Sequence, residues 1–256
     1  MFKDRLSVEA MPKRVFVLAK TVNSKKGLSK EELRDLLSPE EKGKSAFNET
    51  YNAALELGLI EENDEGIVSR IDSSLLKSPT ALRPYIIRKL NTLDDSMFFK
   101  LSRFMFKESE RSNALPYNLT DAKSFVTELT DDVKNIRAWR FWAQYLGLGI
   151  VLGNPLSFYP NPSEYLKECI KIAGLEKGMT LTMDEFFDKL SPSIRLIEGF
   201  DTGRQIGYGL SAGLYTLHKE GVIKLKHVRD NDGIWFFSNM NKKIDLSSFT
   251  DVEILR

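Results

Sequence analysis

The chain has 256 residues, with 37 Lys and Arg against 36 Asp and Glu, two His and one Cys. A hydrophobic share of 42% beside 29% charged residues excludes a disordered chain and reads as an ordinary globular one. A lone Cys169 excludes an intrachain disulfide or a cysteine-based zinc site, and no apolar run approaches the roughly 20 residues of a membrane span. The first residues lead into no signal-peptide core, so the expected location is the cytoplasm. Charge by segment is −2 for residues 1–74, +4 for 75–160 and −1 for 161–256. No segment has the basic bias of a dedicated nucleic-acid binder, so any such contact must come from local patches.

The spacing predicts a first helix from Pro12, carrying Val15, Phe16, Leu18 and Ala19. Ser29 and Glu32 form a capping box ahead of a short helix with Leu33, Leu36 and Leu37, stopped at Ser38-Pro39. A third helix over about Ser45–Leu57 buries Phe47, Tyr51 and Ala54 and ends at Gly58. A hairpin follows, with Asn63–Gly66 as its turn and Ile67–Ile71 as its return strand. Three helices and a hairpin is the layout of a winged helix.

Residues 79–146 read as helical, with acidic starts at Asp94-Asp95, Asp121 and Asp131-Asp132 that suit the helix dipole. Pro155, Pro160 and Pro162 punctuate a linker. The first plan then recurs in order, though not in residue identity. Ser163 caps a helix over Tyr165–Ala173. Thr182 and Glu185 form a second capping box, and Ser191-Pro192 is the expected stop. A helix over about Gln205–Lys219 precedes a second hairpin, Val222–Val228 with Ile234–Phe237. The expected fold is mainly α with small β-hairpins. Winged-helix units at 1–74 and 161–256 flank a helical middle and linker at 75–160.

Gly209-Leu210-Ser211-Ala212-Gly213 matches G-x-S-x-G, the nucleophile elbow of α/β-hydrolases. No apolar strand precedes it, Glu220 is the one acid before His227, and small residues for close helix packing explain it better. Gly147-Leu148-Gly149 lacks the spacing of a dinucleotide loop and reads as a helix end. His218 and His227 lack acidic partners for a metal, and Cys169 sits in an apolar stretch. The reading is a non-enzyme with no catalytic residue, cofactor or metal.

The basic residues carry the functional expectation. Lys100, Arg103, Lys107 and Arg111 recur on one helical face, and Arg137 and Arg140 stand beside Trp139 and Trp142. Lys224 and Lys226 alternate with Ile223 and Leu225, and Arg229 is near the tip of that hairpin. Positive charge within reach is what a phosphate contact needs; the bland alternative is a solvated face and a lysine-protected edge strand. In the first unit Lys44, Asn48 and Asn52 face a groove if the third helix reads DNA. Its Glu61–Glu65 wing repels phosphate and points instead to a protein.

Met11-Pro12-Lys13-Arg14-Val15 opens the first unit, the aromatic segment Ala138–Gly149 ends the helical middle, and a Pro-rich linker follows. In these features the chain resembles DpdG-type proteins of bacterial 7-deazaguanine DNA modification and restriction clusters. The resemblance implies an accessory protein of an anti-phage system, acting with helicase and nuclease partners, and offers no catalytic residues. The leading expectation is therefore a non-enzymatic adaptor associated with double-stranded DNA. Its phosphate contacts are Lys100, Arg103, Lys107, Arg137, Arg140, Lys224, Lys226 and Arg229, and its partner docks at Trp139 and Trp142. One alternative is a winged-helix transcription regulator working as a homodimer. Another is a protein scaffold resembling the kite subunits of SMC complexes.

Overall fold

The structure, a computed structural model, describes residues 2, 5–39, 44–64, 66–111, 117–118, 134–153, 157–197, 203–228, 232–238, 246 and 248–256. Among these are nine α-helices and several short strands, an α+β fold in which helices dominate. The chain divides into two compact units: residues 1–100 with 123–145, and 101–122 with 146–256. The middle of the chain is thus shared between the units. The expected helix around Thr120–Leu129 and the Asp131-Asp132 start lie outside the described residues.

The first unit opens with helices α1 (Pro12–Ser24), α2 (Lys30–Leu37) and α3 (Lys44–Glu56). Pro12 sits at the start of α1, where its missing N–H costs nothing. Both halves of the Ser29/Glu32 capping box form, and α2 ends before Pro39. Gly58, at φ +66°, turns the chain out of α3 into strand β1 (Ile60–Asn63). Gly66, at φ +112°, begins the return strand β2 (Gly66–Ser69), antiparallel with Ile60 opposite Ser69. A Cβ at Gly66 would meet the Leu28 carbonyl oxygen at 2.9 Å, and Leu28 forms an isolated bridge with Ile67. Leu18, Leu33, Tyr51, Leu57 and Ile67 are buried beneath this frame.

Helices α4 (Pro79–Asn91), the start of α5 (Met97–Arg111) and α6 (Lys134–Leu146) complete the unit. The α5 start is capped by the buried Ser96, whose Oγ accepts from the Phe99 N–H at 3.1 Å, just after Asp94-Asp95. Although α6 lies about 130 positions along the chain, it is tied to the N-terminus. Asn135 Oδ1 accepts the Leu6 N–H at 2.6 Å, and Trp142 Nε1 donates to the Ala10 carbonyl at 3.0 Å. The Phe2 ring meets Trp142 edge-on at 5.0 Å. Trp139 and Trp142, at 0% and 1% exposure, are the largest side chains of the core.

In the second unit Gly147, at φ +78°, ends α6 and the chain enters strand β4 (Gly149–Leu152). Between the short β3 (Tyr117–Asn118) and β4 runs β5 (Ser157–Pro160), antiparallel to both. Helix α7 (Ser163–Ile172) follows, but Ser163 does not cap it. The Ser163 N–H is instead taken by Asn161 Oδ1 at 3.3 Å. Strand β6 (Thr180–Thr182) leads through the second capping box into α8 (Met183–Ile194). Ser191-Pro192 does not stop this helix. A proline this late forfeits one backbone bond, and burial of Ser193 and Ile194 holds the final turn.

After β7 (Gln205–Ile206) comes α9 (Tyr208–Lys219) and then β8 (Ile223–Lys226). Here the expected hairpin is corrected. β8 pairs antiparallel with the last strand, β11 (Asp251–Ile254), whose other edge holds β6. Ile223 opposes Ile254 and Leu225 opposes Val252 on the buried face, while Lys224 opposes Glu253 and Lys226 opposes Asp251 on the other. Apolar meets apolar and cation meets carboxylate at every position, which Trp235-Phe236-Phe237 cannot match. Those aromatics form β9 (Trp235–Phe237), between β10 (Ser248–Phe249), antiparallel, and β7, parallel.

The first unit's dependence on α6 gives a measurable consequence. Trp142→Phe removes the donor to Ala10 and is expected to cost about 1–3 kcal/mol. Trp142→Ala, which also opens a cavity, is expected to cost about 3–5 kcal/mol in urea unfolding. Losses near zero for both would show that α6 does not close this core.

Candidate functional site

Helix α5 brings three of the predicted basic residues together. Lys100, Arg103 and Lys107 are exposed along one side, while Phe98, Leu101, Met105 and Phe106 are buried on the other. Lys100 Nζ lies 4.0 Å from Asp95, an exposed pair of little energetic weight. On α6, Arg137 is exposed. Arg140 is half-buried with its guanidinium 4.7 Å from the Phe141 ring centroid, and its Nε has no hydrogen-bond partner among the described residues. That packing leaves Arg140 poorly placed for a phosphate.

The strand lysines are the least available. Lys226 Nζ is 2.6 Å from Glu253 Oε2, and this hydrogen bond holds the Glu253 carboxyl below its ordinary range. Lys224 is exposed, yet it faces Glu253 across the register. Sequence reasoning missed both acids of β11. The signal was present as Asp-Val-Glu-Ile, an alternation complementary to Ile-Lys-Leu-Lys, but placed 25 residues past the strand it pairs with. Arg229 lies outside the described residues.

On α3, Lys44, Asn48 and Asn52 recur every four residues and all three are exposed, so one helix face presents them together. Beside them in sequence, the hairpin exposes Glu62, Asn63 and Asp64. The Tyr51 hydroxyl donates to Glu62 at 3.0 Å, and burial followed by this carboxylate raises the phenol's pKa.

Trp139 and Trp142, expected to dock a partner, do not. Both are core side chains, and the indole N–H of Trp142 is spent on Ala10. Arginines flanking the tryptophans suggested a surface, whereas a 3.6-residue period sends Ile136, Trp139, Trp142 and Ala143 inward as one stripe.

The remaining motifs resolve into packing. Ser211 is fully buried inside α9, donates to the Ile206 carbonyl at 3.0 Å and accepts the Ser238 N–H at 3.2 Å. A Cβ on Gly209 would come within 2.6 Å of the Phe106 ring, and one on Gly213 within 3.0 Å of Leu166 and Pro162. The glycines are there for close approach. Burial pushes the Cys169 thiol's pKa up, which disfavours thiolate. Among the described residues no group of three or more His, Cys, Asp or Glu is placed to hold a metal, and no helix is long and apolar enough to cross a membrane.

His218 has a structural task. Its Nδ1 accepts the backbone N–H of Leu225 in β8 at 3.2 Å. Burial, then Lys219 and Lys224, hold its pKa below the ordinary 6.5. The unfolded chain therefore takes up the proton first. Stability is full above about pH 6.5 and falls as pH drops through that value toward the lower folded one. Thermal unfolding between about pH 7.5 and about pH 5.5 should show this loss. His218→Asn, which keeps an acceptor but does not titrate, should flatten it.

No curated protein and no solved structure matches the chain. Residues 6–96 match the family model described as DpdG-like. The matched segment runs from the Leu6 contact with α6, through the three helices and the hairpin, to the Ser96 cap of α5. Over that segment, a little more than a third of its length, the chain is similar to the DpdG-like family.

Proposed function

We propose that the protein is a non-enzymatic, DNA-associated adaptor of a bacterial anti-phage system, the Dpd system of 7-deazaguanine DNA modification and restriction. The DpdG-like match over residues 6–96 is the observation that carries this reading. In it, the three helices and hairpin of the first unit are a winged helix. The second unit repeats the plan with α7, β6, α8, α9 and a β8–β11 wing. Phosphate contact is assigned to Lys100, Arg103 and Lys107 on α5, with Arg137 as a further exposed cation. Helicase or nuclease subunits are the expected partners.

A second reading, a protein scaffold without DNA contact, is favoured by the exposed Glu62 and Asp64 of the first hairpin. In the regulator reading, Asn48 and Asn52 on α3 choose the sequence and a homodimer protects a palindrome.

Binding to a labelled random duplex of about 30 base pairs across a salt series separates these readings. The adaptor reading expects affinity that falls steeply with salt. It also expects Lys100→Glu/Arg103→Glu/Lys107→Glu to lower the log–log slope by about 0.9 for each phosphate no longer neutralised. Absence of binding at low salt, or binding indifferent to the triple reversal, overturns the α5 assignment. Protection confined to a palindrome favours the regulator.

A further inference from the structure

Between α1, the end of α2 and the start of α3 the first unit holds an open groove of about 450 Å³. Its walls are Val17, Leu18, Leu37 and Phe47, and Lys13 and Arg14 stand along one side. Val17 is 42% exposed although it is a β-branched apolar side chain on a helix face between Lys13 and Lys20. Among the described residues no acid lines the groove. Glu9 pairs with Arg14, Asp35 with Arg34 and Glu49 with Arg5. Lys13 is exposed and has no ion-pair partner among the described residues.

We propose that this groove is a docking site for an acidic, amphipathic helical segment of a partner protein. An apolar floor of this size accepts one or two large side chains on successive turns, the spacing by which helices seat in grooves. The exposed Lys13 at the rim, with Lys20 one turn beyond Val17 on the same helix, selects the charge of the flanking residues: carboxylates are attracted and lysines repelled, while Arg14 is already paired with Glu9. Nucleic acid satisfies only the rim, because it has no aliphatic anchor for the exposed Val17 and the half-buried Leu37, beneath which Leu18 and Phe47 are buried. All the lining residues fall within the segment matched by the family model. The docking site names the protein contact of the adaptor and to that extent rests on that reading. It is tested without DNA, so the two fail separately.

The probe is a fluorescein-labelled helical peptide of roughly 16 residues, about four turns, with leucines on one face and glutamates elsewhere. Its counterpart carries lysine for every glutamate. With the full chain, anisotropy is expected to show saturable binding of the glutamate peptide at about 10–100 μM and none of the lysine peptide. Val17→Asp and Lys13→Glu, both surface changes, are each expected to weaken it about tenfold. The triple reversal on α5 should leave it unchanged. Circular dichroism checks the fold, and Lys13→Glu carries the test should Val17→Asp unfold. Equal binding of both peptides, indifference to either folded groove variant, or absence of saturable binding overturns the site. So does tighter Val17-dependent binding to phosphatidylserine vesicles than to the peptide.

Discussion

The insertion of α6 against the N-terminal residues governs the rest of the first unit. The Phe2 ring packs edge-on against Trp142 there, Trp139 on the same helix is fully buried, and two hydrogen bonds join positions about 130 apart in the chain. Three helices and a two-stranded hairpin offer a small core, and α6 adds two fully buried indoles to it. The tryptophans therefore serve cohesion. Their burial leaves contacts with other molecules to places where apolar or cationic side chains remain exposed at a cost. The α5 face and the α1–α3 groove are two of these.

Local signals in the sequence were read well because local physics dictates them. Both capping boxes form, since each needs only two side chains and the backbone between them. Gly58 and Gly147 end helices at positive φ, where other residues are strained. The GLSAG segment is helical and packed, although a two-residue strand, β7, does precede it. Pairing between distant segments was less legible. Trp235–Phe237 looked like the partner of Ile223–Lys226 because it came next, but β11 matches that strand side chain for side chain. The tryptophans were misplaced for a similar reason: neighbouring arginines suggested a surface, while the helical period already indicated a core.

For the candidate contacts, the same distinction separates residues that looked equivalent in the sequence. Lys226 and Lys107 are both lysines on amphipathic elements. Yet Lys226 is hydrogen-bonded to Glu253, and any phosphate must compete with a carboxylate already held below its ordinary pKa by that bond. Lys107 stands on a helix whose other side is sealed by Phe106 and Met105. A strand that alternates Lys with apolar residues needs acids on its partner strand, so sheet formation neutralises the cations it aligns. An amphipathic helix aligns its cations without that requirement. Near-neutral overall charge is thus compatible with a local phosphate surface, provided that the surface lies on a helix.

The first unit extends that logic to sign. Its α1 face carries Lys13, Val17 and Lys20, while its hairpin carries Glu61, Glu62 and Asp64. A phosphate polymer laid along both elements would be attracted by one and repelled by the other, and the desolvation of Val17 would go unused. A ligand with separate charge and apolar faces gains from the first element without needing the second. The opposed charges of α1 and the hairpin therefore argue for two different contacts in this unit. A segment with an apolar face and acidic flanks suits α1, and the hairpin is left to cations or to water.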